Sequence, residues 1–175
     1  KAYPTVVSSH KDNATLHVLA GYLRNGFLHR AIREQGGAYG GGASHDANSA
    51  SFRFYSYRDP RLLDTLSDFD ASIQWLLNES QAPHQLEEAV LGVIASMDKP
   101  SSPAGEAKQA FYNGLFGRSL EHRMQFRERV LSTSLDDLRN AAQIYFDPSL
   151  ASIGVITNRD SEKLLQDEGL VIKYI

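Results

Sequence analysis

Five of the chain's thirteen glycines fall between Gly36 and Gly42, directly behind a long stretch with helical apolar spacing. Glycine is the costliest residue to order and offers no side chain to a core. The cluster therefore constrains the fold more than any other segment: a helix has to stop there, and backbone that needs close approach has to follow. Upstream, Leu16, Leu19, Ala20, Leu23, Phe27 and Ala31 recur at the 3.6-residue period. Val18, Tyr22 and Ile32 widen that stripe, which predicts a helix buried on more than one side. Asp12 or Asn13 is placed to cap its start, and the Gly36-Gly37 pair to stop it.

The rest of the chain supplies partners for that helix. Residues 3–9, YPTVVSS, have the β-branched density of a strand. Residues 38–45 and 51–57 read as two strands joined by turn residues DANS, and SFRFYSY alternates cleanly. Asp59 followed by Pro60 predicts a helix start, with a stripe of Leu62, Leu66, Phe69, Ile73 and Leu76. Helical spacing continues over 83–97 and 103–116. Two further helices are expected, one capped by Ser119 and one by Ser134, the latter in a capping box with Asp137. Residues 151–157, ASIGVIT, read as a strand, 160–168 as a short helix and 170–175, LVIKYI, as a closing strand. This order defines an α+β class, a mainly antiparallel β-sheet with helices packed against it, in one domain over residues 1–175.

Composition narrows the function. With 42% hydrophobic and 22% charged residues the chain is globular, and a net charge of -3 gives no basic footprint for nucleic acid. There is no cysteine, so thiolate metal sites and disulfides are excluded. No apolar run approaches the roughly 18 residues of a membrane span. The opening KAYPTVVSSHKD has neither an initiator Met nor a signal-peptide core, which leads us to expect a fragment of something longer.

Several catalytic motifs fail on context. Phosphate cradles run from strand through glycine loop to helix, whereas here the helix comes first, and no G-x-x-x-x-G-K-[ST] is present. His84-Gln85-Leu86-Glu87-Glu88 nearly matches the inverted zinc motif H-x-x-E-H, but Glu88 replaces the second histidine. Ser44, His45 and Asp46 are adjacent in a strand, where neighbours point to opposite faces and cannot form a triad. The arginines between 118 and 129 interleave with Glu121 and Glu128 and read as a solvated helix face.

Residues 23–43, LRNGFLHRAIREQGGAYGGGA, resemble the non-catalytic C-terminal half of the pitrilysin and insulysin-type zinc metallopeptidases, in particular the presequence protease branch. The specific pattern is L-H-x-x-I-R-E-[KQ]-G-G-A-Y-G, with Gln35 where Lys is frequent. The order of elements agrees over nearly the whole chain. The resemblance implies four homologous α+β domains around a chamber, with zinc and its H-x-x-E-H ligands in the first. It implies that Arg33 and Tyr39 of this chain contact the substrate and help stabilise the reacting carbonyl. This chain is then expected to hold no metal itself. Its partners would be a peptide substrate and the other domains of the same peptidase, with no nucleic acid or membrane. Its compartment would be the bacterial cytoplasm, or alternatively an organelle matrix.

Elementary chemistry supports that pairing. Hydrolysis places negative charge on the carbonyl oxygen, and a guanidinium and a phenol both donate hydrogen bonds to such charge. Glycine in a strand marks close approach by a ligand or another backbone. Gly36, Gly37, Gly40, Gly41 and Gly42 are accordingly the expected substrate-binding wall, along which a peptide could add as a strand. His29 matches a family position and reads as a packing or capping residue rather than a ligand. Two other roles fit the same residues: an inactive partner subunit of a two-chain peptidase, and a structural member of the fold without peptidase activity.

Overall fold

Helix α1 (Asn13–Leu23) occupies the centre of the computed structural model, which describes residues 1–79 and 82–174. Eight of its eleven residues are buried, because strand β2 (Gly40–Asp46) covers it on the sheet side while α2 (Leu63–Asn78), α3 (Pro83–Asp98), α5 (Leu120–Leu131) and α6 (Leu135–Tyr145) pack around it. That explains why its apolar positions exceed a single stripe. The sheet has three strands in the order β1–β3–β2, all antiparallel: β1 (Ala2–Pro4), β2 (Gly40–Asp46) and β3 (Ser51–Tyr57). Phe52 and Phe54 of β3 point inward, and Arg53, Tyr55 and Tyr57 outward. The inward pair meets Tyr3 and Phe146 in an aromatic cluster, with Phe52 4.8 Å from Phe146 between ring centres.

From Leu23 the helix continues without interruption but rewinds. Residues Arg24–Gln35 form a twelve-residue π-helix, where the sequence periodicity predicts an ordinary α-helix. The fully buried side chains are Leu23, Leu28 and Ile32, while Phe27 is only partly covered. The five-residue step from Leu23 to Leu28 suits i→i+5 winding and not a 3.6 period. Gly26 makes room for the neighbouring helix: a Cβ there would lie 2.5 Å from the Trp75 ring.

The remaining helices are α2 (Leu63–Asn78), α3 (Pro83–Asp98), α4 (Pro103–Leu115), α5 (Leu120–Leu131), α6 (Leu135–Tyr145) and α7 (Glu162–Asp167). Ser119 caps α5 by accepting from the His122 amide, and Ser134 with Asp137 forms the expected capping box on α6. Two other expected caps are differently used. Asp12 stands at the N-cap of α1, but its carboxylate accepts from the Tyr145 hydroxyl at 2.7 Å instead of capping. Burial and that carboxylate together push the Tyr145 phenol up to about 12. Asp59 accepts from the Arg61 amide and the Thr65 hydroxyl in a turn, so α2 begins at Leu63 and not at Pro60.

Three expected strands are shorter or missing. The first ends at Pro4, which has no amide hydrogen with which to extend the ladder. Residues 151–157 form only an isolated bridge, in which Ala2 and Ser152 exchange two backbone bonds of 2.8 Å. β1 pairs over just three residues, so there is little ladder for a fourth strand to join. Residues 170–174 are not in a strand, and Val171 is left exposed; Ile175 lies outside the described residues.

Candidate functional site: an arginine–tyrosine cleft beside an edge strand

The end of the π-helix sets the site's geometry. Gly37 adopts φ +79°, a conformation that favours glycine, and its amide donates to the Arg33 carbonyl at 3.1 Å. The Ala38 amide donates to the Ile32 carbonyl at 3.1 Å, one residue wider than a Schellman stop. The chain thus reverses within three residues of Gln35, and Tyr39 stands immediately before β2 rather than inside it.

Arg33 and Tyr39 line the same open cleft of 560 Å³, with Gly40 and Gly41 in its wall. Tyr55 and Tyr57 from the outward face of β3 close one side; Arg24, Asn25 and His29 of the π-helix close the other. Tyr39 is 61% exposed. Its ring meets Tyr57 edge-on at 5.4 Å and lies under the Arg58 guanidinium at 5.4 Å, so its position is set from two sides. Its hydroxyl makes no hydrogen bond among the described residues. Arg33 donates through Nη1 to His29 Nε2 at 3.1 Å and has no carboxylate partner among them. The cleft therefore presents a phenol and most of a guanidinium to solvent, with no acid to neutralise the charge.

The glycines divide into two groups. Only Gly40 and Gly41 line the cleft. At Gly36 the space of a missing Cβ is taken by the guanidinium of Arg61, whose Nη2 lies nearest. That nitrogen donates to the Ala31 carbonyl and to Asp68, so Arg61 caps the helix end. Gly37 serves the turn, and Gly42 accommodates the stem of Arg24.

β2 is an edge strand, paired with β3 alone. The Phe54 amide and carbonyl bond to Lys1 on the β1 side, at 2.8 and 3.0 Å. By alternation Arg53 and Tyr55 pair with Ser44 and Gly42, which directs the backbone groups of Gly41, Ala43 and His45 away from β3.

A second, larger hollow of 1060 Å³ opens near the β2–β3 turn. It contains His45, buried, with its Nδ1 3.2 Å from His17 Nδ1. Burial, and then the neighbouring His17, bring the His45 imidazole down to about 4, and burial lowers His17 as well. His45 turns inward while Asp46 bonds Arg53 and Ser49, so the Ser44-His45-Asp46 run forms no triad. Among the described residues no group of three or more His, Cys, Asp or Glu could hold a metal ion. The described residues do not fit a zinc site.

Comparison with known proteins identifies the class. The fold is shared with a protein from Bordetella pertussis described as a zinc protease, with a TM-score of 0.68 at 18% identity over 85% of this chain and 87% of that one. It is shared as well with pitrilysin, at a TM-score of 0.59 and 15% identity over 83% of this chain and 16% of that one. Residues 7–157 match the PreP C-terminal domain family, and the chain belongs to it. A mitochondrial presequence protease of Kluyveromyces lactis is 41% identical over 156 residues, covering 87% of this chain. The chain spans 16% of that relative's length. The resemblance seen in residues 23–43 thus extends over most of the sequence.

Proposed function

We propose that the chain is the non-catalytic C-terminal domain of a zinc endopeptidase that degrades unstructured or targeting-type peptides. Arg33 and Tyr39 bind the peptide and donate hydrogen bonds to its reacting carbonyl. Zinc and the general base come from another part of the parent protein, a division supported by the lack of a metal-holding group among the described residues. The observation that carries this is the shared cleft: two donors, with no carboxylate partner among the described residues, face one solvent-open space beside the glycine backbone of an edge strand.

The peptide lies along the free edge of β2 at Gly40 and Gly41 and can pair with the outward backbone groups of that strand. Gly36, Gly37 and Gly42 serve this arrangement indirectly, by placing Arg61, the turn and Arg24. The names of the relatives favour an organelle compartment over the bacterial cytoplasm. No helix among the described residues is long and apolar enough to cross a membrane.

The division of labour has a direct test. The 175-residue chain, assayed with an unstructured peptide and added zinc, is expected to bind the peptide and cleave none of it. Zinc-dependent turnover by the isolated chain would overturn the proposal.

A further inference from the structure

We propose that His29 is a positioning residue for Arg33, fixed in one neutral tautomer by Glu34, and that π-winding is what brings the three together. The positioning role rests on the proposal that Arg33 meets the substrate; the contacts of His29 with Arg33 and Glu34 stand on geometry alone.

A guanidinium can only donate, so in the 3.1 Å contact from Arg33 Nη1 the His29 Nε2 must be the acceptor. Its lone pair is then on Nε2 and its single ring hydrogen on Nδ1. That nitrogen faces Glu34 Oε1 at 3.3 Å. The charge of the carboxylate favours the hydrogen on Nδ1, and the opposite nitrogen accepts from the guanidinium. A long, flexible side chain with no carboxylate partner among the described residues acquires a fixed direction into the cleft.

The spacing explains why the helix is wound as it is. In an α-helix successive residues advance about 100°, so Glu34 at i+5 would stand about 140° around from His29, out of reach. With about 4.4 residues per turn, i+4 and i+5 straddle residue i on the next turn. His29 then lies beneath both Arg33 and Glu34. The remaining groups around the ring come from two elements. Arg24 and Asn25 lie on the same π-helix, with Arg24 Nε donating to Asn25, and Tyr39, Tyr55 and Tyr57 come from the strand side. None of these offers Arg33 a carboxylate. At 47% side-chain exposure, His29 is not a core residue, and it caps no helix end.

Two measurements on the 175-residue chain test this. Long-range ¹H–¹⁵N NMR of the His29 ring is expected to show hydrogen on Nδ1, and to shift toward the Nε2–H form in Arg33→Ala and Glu34→Ala. An Nε2–H ring in the unsubstituted chain, or no change in either variant, would overturn the fixed tautomer. Binding of an unstructured, presequence-type peptide is then compared across variants. His29→Ala should weaken it about 3- to 10-fold, the size of losing one ordinary net hydrogen bond, because the loss reaches the peptide only through Arg33. His29→Gln, whose amide oxygen can accept from Arg33 in place of Nε2, should restore most of it. Equal weakening in both His29 variants, or none in His29→Ala while Arg33→Ala binds poorly, would overturn the positioning role and leave the role of Arg33 intact. Undiminished binding in Arg33→Ala and Tyr39→Phe would instead remove the proposed function, and the positioning role with it, whatever the tautomer.

Discussion

The individual glycines of the cluster respond to different neighbours, and substitution separates them. A methyl at Gly36 would drive into the Arg61 guanidinium, which is held by Ala31 and Asp68. Gly36→Ala is expected to cost about 1–3 kcal/mol by overpacking. Gly92, mid-helix in α3, has nothing within 4 Å of an added Cβ. There the same change should stabilise by about 0.5–1 kcal/mol through helix propensity. Urea unfolding of the two variants reads both signs in one experiment. At this scale the sequence was informative about residue type and less so about partner. Arg33, Tyr39 and the glycines stand out in the string, but Arg61 against Gly36 joins positions 25 apart that no local pattern connects. His29 matches a family position in the sequence, but it reads there as a packing or capping residue, and its contacts with Arg33 and Glu34 emerge only in the fold.

Among the elements, local signals with local partners were legible. The capping box of Ser134 and Asp137 closes within four residues, and α6 starts where the sequence predicts. Ser134→Ala should cost about 1 kcal/mol. In a domain of this size that lowers Tm by about 2–4 °C, measurable by thermal melting. Asp12 and Asp59 carried the same cap signal, but tertiary contacts to Tyr145 and a turn around Arg61 and Thr65 claimed their carboxylates. The π-helix went unseen because Phe27 and Ala31 satisfy the α period as well as Leu28 and Ile32 satisfy the wider one. Only the five-residue step between Leu23 and Leu28, both wholly buried, distinguishes them. The strands expected in the last quarter depended on a wider sheet than β1 provides.

For the molecule as a whole, the α+β class was legible from the order of elements, because helices and strands segregate along the chain. The buried His17–His45 pair was not, since it joins α1 to β2 across 28 residues. Its effect is on stability against pH. In the unfolded chain a histidine titrates near 6.5, whereas folded His45 is held down at about 4. Between those values the unfolded state binds a proton that the folded state does not. Stability is therefore fully present above about pH 6.5 and declines as pH falls toward about 4, with His17 adding in the same direction. His45→Leu, which keeps the site filled without a titratable ring, should flatten that decline in Tm measured from pH 7 to pH 4.5. An unchanged slope would place the acid sensitivity elsewhere.

Peptide turnover by the full-length protein, with Arg33→Gln and Tyr39→Phe introduced singly and together, tests the central claim most directly. Each single change should lower kcat by about 10²–10³, the loss typical of one donor to a developing oxyanion. Both side chains lie exposed in the cleft, so the Tm should not move with them. Turnover within twofold of the unsubstituted protein in the double variant would contradict the claim that this cleft takes part in catalysis.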